Sequence, residues 1–168
     1  MKLISVTILG GNFRTLKSIK PYKFNMSQHK HRLSTKIFAG VNGSGKSNFL
    51  QLLAEIFYYL EIYHLPTSTE FEKKGDNIGF EIEYSLPFQI PIKGEQEPIE
   101  HTEEDFHIRI RKETNQLPEF AWKKMSGKNF RRTDENTQLL LPTKVVAYTS
   151  GQNELLSNPF YKMKYHTW

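Results

Sequence analysis

Apolar and polar positions change their spacing several times along the chain, and each change marks an element. Ile4, Val6 and Ile8 alternate with Ser5 and Thr7, a period of two that predicts a β-strand over residues 2–9. Gly10-Gly11-Asn12 break it, and Phe13-Arg14 follow. Residues 19–26 predict a second strand, which Pro21 confines to a sheet edge because proline cannot donate to a ladder. Ser27 to Lys30 read as a turn, and Leu33 to Ala39 form an apolar extended run into the glycine-rich stretch Gly40 to Gly45. From Lys46 the spacing becomes helical: Phe49, Leu50, Leu52, Leu53, Ile56, Phe57, Leu60 and Tyr63 cover nearly the whole circumference. That predicts a helix packed on several sides, ending before Pro66. Phe57, Tyr58, Tyr59 and Tyr63 are read as core aromatics of this helix.

Beyond the helix the period returns to two. Ile78, Phe80, Ile82, Tyr84 and Leu86 alternate with Gly79, Glu81, Glu83 and Ser85. Phe106, Ile108 and Ile110 alternate with His107, Arg109 and Arg111. Two half-buried antiparallel strands are expected, with Glu81 and Glu83 facing Arg109 and Arg111 across the pair. Residues 87–105 hold three prolines and six acids and predict a polar connection. Residues 117–125, with Phe120 and Trp122, predict another strand; Ser126 to Asn136 read as a basic, turn-rich stretch. Val145-Val146-Ala147-Tyr148 predict a buried strand over 143–149, followed by a helical segment from Gln152 to Ser157.

Composition narrows the possibilities. A chain of 168 residues is one domain or a piece of one and can bury a real core. With no cysteine, disulfide scaffolds, thiolate metal sites and cysteine nucleophiles are excluded. No run approaches 18 consecutive apolar residues, and the N-terminus reads as a strand with no leader-type cleavage site, so a cytoplasmic protein with no membrane partner is expected. The net charge of +5 is uneven: no Asp or Glu precedes Glu55, whereas residues 1–54 hold nine Lys and Arg. One end of the molecule is therefore expected to attract polyanions, nucleotide phosphates or nucleic acid.

Gly40-Val41-Asn42-Gly43-Ser44-Gly45-Lys46-Ser47 fits G-x-x-x-x-G-K-[ST], the phosphate-binding loop. Its spacing has a physical reason. The glycines let successive backbone N–H groups turn inward as an anion nest, and the following helix aims its positive end at the same point. Lys46 can reach β- and γ-phosphates, and the Ser47 hydroxyl can ligate Mg²⁺. ATP and Mg²⁺ are thus the expected ligands.

The stretch Gly40 to Leu50, G-x-N-G-S-G-K-S-N followed by two apolar residues, resembles the RecF and SMC group of ABC-type ATPases. Asn12-Phe13-Arg14 resembles the N-F-R that follows the first strand in that group. The tail from Val146 to Ser157 resembles a stretch of bacterial AAA family ATPases associated with restriction and phage defence. The resemblance implies an α/β fold, a P-loop NTPase lobe with a mixed sheet around the P-loop helix and an adjoining antiparallel β-sheet. On the chain this implies a P-loop core over 1–66, an antiparallel part over 75–140, and a strand with glutamine-loop region over 143–158. It also implies that Gly40, Asn42, Gly43, Ser44, Gly45, Lys46, Ser47 and Asn48 line the nucleotide, with Arg14 near it or near DNA. Gln152 is implied as the glutamine that touches Mg²⁺ and the attacking water, so Lys46 and Gln152 are the catalytic candidates and Ser47 and Gln152 the metal ligands.

Hydrolysis needs more than this loop. Asp76, Asp105 and Asp134 are the three aspartates, and none ends an apolar strand as the second Mg²⁺ carboxylate must. The serine-glycine-glycine signature of ABC proteins is absent too. The chain therefore reads as the N-terminal lobe of a larger ATPase head, inactive alone, whose implied partners are a second ATPase copy and DNA or a nuclease effector. A small P-loop kinase and a nucleic-acid-binding module are the rival readings of the same loop. His29 and His31 read as solvated histidines rather than a metal pair. Lys123, Lys124, Lys128, Arg131 and Arg132 around Phe130 read as a solvated loop, or as contacts to a nucleic-acid backbone.

Overall fold

The computed structural model describes residues 1–18, 20–25, 35–66, 78–87 and 105–146. They form an α/β fold with one helix on a six-stranded sheet. Strands β1 (Lys2–Leu9) and β2 (Tyr22–Lys23) precede helix α1 (Lys46–His64). Strands β3 (Gly79–Leu86), β4 (Phe106–Lys112), β5 (Glu119–Lys124) and β6 (Arg131–Thr133) follow, then a 3₁₀ turn at Thr137–Leu140.

The sheet order is β2-β1-β3-β4-β5-β6, and every pairing is antiparallel. The expected mixed sheet with a separate antiparallel neighbour is thus corrected to one continuous sheet. β1 supplies the apolar row that β3 needs on its free side: Val6 sits opposite Ile82, and the row continues through Ile110 to Phe120. All four are buried. A bulge between Leu3 and Ser5 puts Leu3, rather than Ile4, opposite Tyr84. β2 is a two-residue strand at the sheet edge, as Pro21 demands.

The other face of the sheet is polar. Ser5, Glu83, Arg109, Ala121 and Arg132 share one cross-strand row, and Thr7, Glu81, Arg111 and Glu119 the next. The expected opposition of Glu81 and Glu83 to Arg111 and Arg109 holds in register. Arg111 donates to Glu81 at 3.3 Å. Glu83 instead accepts from His107 Nε2 at 2.6 Å, and Arg109 lies over the Phe130 ring, 4.2 Å from its centroid.

Helix α1 crosses the apolar face obliquely. Phe49 near its start meets Tyr22 of β2, Phe57 meets Tyr84 of β3, and Tyr63 near its end meets Phe120 of β5. A 19-residue helix is roughly 27 Å long, whereas β2 to β5 spans roughly 19 Å, so only a diagonal path brings both ends into contact. Phe49, Leu52, Ala54, Ile56, Phe57, Leu60 and Ile62 are buried, in keeping with a helix packed on several sides. The 3₁₀ turn closes the far end of the core: Tyr84 donates its hydroxyl to Leu140 O at 2.8 Å, and His64 Nε2 lies 2.9 Å from Thr137 Oγ1. Among the described residues, no helix is long and apolar enough to cross a membrane.

Candidate functional site

The glycine loop leads directly into α1. Gly43 and Gly45 have φ of 81° and 92°, the left-handed region where an L side chain is strained. At Gly45 there is a second demand, because a Cβ would lie 3.0 Å from Leu16 Cδ2. The loop turns on a Ser44 N–H bond to Val41 O at 3.2 Å, and the helix begins with Phe49 N–H on Gly45 O at 2.9 Å. No side chain caps the helix and no acid sits in its first turn. The first-turn N–H groups and the positive end of the helix therefore meet no carboxylate from the helix's own first turn.

Lys46 folds back over the loop. Its ammonium donates to Gly40 O at 2.7 Å, Val41 O at 2.9 Å and Ser44 Oγ at 3.3 Å. Asn42, Ser44 and Ser47 are exposed on the same turn, and Gly40 stands at its start. Gly40, Asn42, Gly43, Ser44 and Ser47 are exposed along this loop and helix start, Lys46 and Asn48 are half-buried in the first turn of α1, and Gly45 is buried.

Arg14 belongs to a tight turn beside this bend. Phe13 and Leu16 bond each other across the turn at 2.8 and 3.0 Å, and Arg14 takes φ 53°. The turn is fixed to the helix start at two points, Leu16 beneath Gly45 and Thr15 bonded to Asn48 Nδ2 at 2.6 Å. Arg14 is exposed, with its guanidinium 6.0 Å from the Phe13 ring. Thr15 and Leu16 were not among the sequence candidates. The N-F-R stretch pointed at them, since whatever follows it must also lie near the loop.

The arm that reaches the loop is not a strand. Residues 35–40 carry no sheet pairing; Leu33 and Ser34 lie outside the described residues. Phe38 packs on Phe49 and Phe24, with centroids 5.1 and 6.0 Å apart, and Lys36 bonds Asn25 O. Those contacts hold the arm against the first turn of α1 and the residues that follow β2, without pairing it into the sheet. Val41 and Leu50 are 80 % and 43 % exposed beside it.

Other candidates fall elsewhere on the fold or outside the described residues. Gln152, the 150–158 region, His29, His31 and Asp76 lie outside the described residues. Of the strand expected over 143–149, residues 143–146 carry no strand and the rest lie outside the described residues. Asp105 stands at the start of β4, ion-paired with Lys2 at 3.5 Å, and Asp134 is exposed after β6. Among the described residues, no cluster of three His, Cys, Asp or Glu exists to hold a metal.

Elsewhere, Lys112 is buried between Tyr59 and backbone carbonyls, its ammonium 3.1 Å from Ile78 O and 5.0 Å from the ring centroid. On the polar face, the His107 hydrogen bond holds the Glu83 carboxyl below its ordinary value of 4.5, helped by Arg109 and Lys123 and opposed by partial burial. Comparison with protein-family models, curated proteins and solved structures finds no match to this chain.

Proposed function

We propose that residues 40–47 bind the triphosphate of ATP with Mg²⁺, as the P-loop of an ABC-type ATPase lobe of the RecF and SMC kind. One observation carries this reading: the bend with two left-handed glycines opens straight into an uncapped helix, with a lysine ammonium held across its mouth. The donor set fits a polyphosphate. Backbone N–H groups of Gly43, Gly45 and Lys46 donate to phosphate oxygens, while the Ser44 N–H holds the turn on Val41 O, and phosphate oxygens replace the carbonyls of Gly40 and Val41 around the Lys46 ammonium. Ser47 is the Mg²⁺ ligand among the described residues, and Arg14, next to the Thr15 that bonds Asn48 of the first helical turn, is the residue read as meeting the nucleotide or DNA. Mg²⁺, when bound, neutralises the β- and γ-oxygens.

The reading is of binding rather than turnover by this chain, because neither Asp105 nor Asp134 stands at the end of an apolar strand beside the loop. It carries with it a second ATPase copy, and DNA or a nuclease effector, as the partners of the whole assembly. Equilibrium titration with MgATP, MgADP and AMP tests it. Affinity is expected to fall with each phosphate removed; AMP binding as tightly as MgATP would contradict a phosphate cradle.

A further inference from the structure

Residues 120–133 contain five Lys and Arg and no acid, although the last 114 residues as a whole are acidic. The fold gathers four of these cations around one feature. Lys123, Lys124, Lys128 and Arg131 line a cavity of about 530 Å³ at the β5–β6 hairpin, over Trp122. Three other sheet cations have acid partners: Arg111 pairs with Glu81 and Glu113, Arg132 with Glu119 at 3.2 Å, and Lys2 with Asp105. Among the described residues, these four make no ion pair. Lys123 and Arg131 rest instead on aromatic faces, 5.0 Å from Phe130 and 5.6 Å from Trp122.

Lys123 feels the charge of Glu83, but no described acid pairs with any of the four, and concentrating like charges in this way is unfavourable for the isolated fold. It is favourable toward a partner that brings regularly spaced anions. We propose that this hairpin is a binding surface for the phosphodiester backbone of nucleic acid, separate from the glycine loop. An acidic protein is the weaker fit, because protein interfaces depend on apolar anchors in pockets. Here Trp122 is only 8 % exposed and forms a floor, and Phe130 is covered by Arg109, Lys123 and His107. With Trp122 as a floor and Phe130 covered, the surface presents charge rather than stacking faces, so recognition is by the backbone and does not depend on sequence.

The test is a salt-dependent titration of labelled 20-base DNA and RNA oligonucleotides, single strands and duplexes, against the 168-residue chain. Two double variants change net charge equally: K124E/K128E on the hairpin and K17E/K23E on exposed lysines of the N-terminal region. Wild-type binding to at least one oligonucleotide is expected, and the DNA and RNA arms identify the source of the backbone. The hairpin variant is expected to lose two phosphate contacts. On a duplex this lowers the log–log salt slope by about 1.8, so the affinity lost between 50 and 200 mM salt shrinks about tenfold. Its MgATP affinity is expected to stay at the wild-type level, which separates this site from the loop. The proposal is overturned by absence of oligonucleotide binding at 50 mM salt, by equal losses in the two variants, or by polyglutamate binding as tightly as an oligonucleotide. Self-association of K124E/K128E with unchanged oligonucleotide affinity would also overturn it, assigning the cations to protection of the β6 edge.

Discussion

Asn48 Nδ2 and Thr15 Oγ1 lie 2.6 Å apart, joining the first turn of the helix to a turn that is 33 residues distant in sequence. This bond, with Leu16 under Gly45, fixes the position of Arg14 relative to the glycine loop. Asn48→Ala and Thr15→Val should therefore not act independently. A double-mutant cycle by urea denaturation is expected to give a coupling of about 0.5–1 kcal/mol, the low end for a hydrogen bond exposed to water. Additive effects would mean that this bond does not couple the two elements.

Gly45 and Gly43 both occupy left-handed backbone, yet their surroundings differ. A Cβ at Gly43 meets nothing within 4 Å, whereas at Gly45 it reaches Leu16 Cδ2 at 3.0 Å. Gly43→Ala should cost about 1 kcal/mol of conformational strain. Gly45→Ala should cost more, roughly 2 kcal/mol, because the strained backbone must also displace the turn. Thermal or urea unfolding of the two variants tests the order, and a larger loss at Gly43 would contradict it.

Glu83 supplies a pH dependence whose sign is fixed. Its carboxyl is held below 4.5 by the His107 hydrogen bond first, then by the charges of His107, Arg109 and Lys123. The folded chain therefore binds that proton less readily than the unfolded chain. The resulting stability is present above the ordinary value and disappears as pH falls through the lowered one. Glu83→Gln should be less stable than wild type at neutral pH, and the gap should close on acidification from about pH 5 downward. A gap that stays constant or widens in acid would remove Glu83 from the polar face's charge network.

Much of this architecture is legible in the residues themselves. The period of two in Phe80, Ile82 and Tyr84, and in Ile108 and Ile110, announces strands. The matching of Glu81 with Arg111 then follows from pairing them in register. Helix α1 is legible because Phe49 to Tyr63 leave few polar positions. What local pattern does not encode is which strands meet. That β1 joins β3 to make a single sheet depends on Val6 and Ile8 finding Ile82 and Phe80 across more than 70 residues of chain. β6 was missed for a different reason: Arg131, Arg132 and Thr133 form a three-residue edge strand with no apolar alternation to betray it. In the site, the glycines and Lys46 are explicit in the motif. Thr15, Leu16 and Phe38 are not, because they act through contacts that form only when the chain folds over α1.

The central claim is that the bend from Gly43 to Lys46 cups a triphosphate. Calorimetric titration of MgATP into wild type and Lys46→Ala, with folding of both checked by circular dichroism, tests it most directly. Removing a charged donor from phosphate oxygens should weaken binding about 10- to 100-fold, equivalent to roughly 1.5–3 kcal/mol, while the fold persists. Equal MgATP affinity in the two folded proteins would contradict the claim.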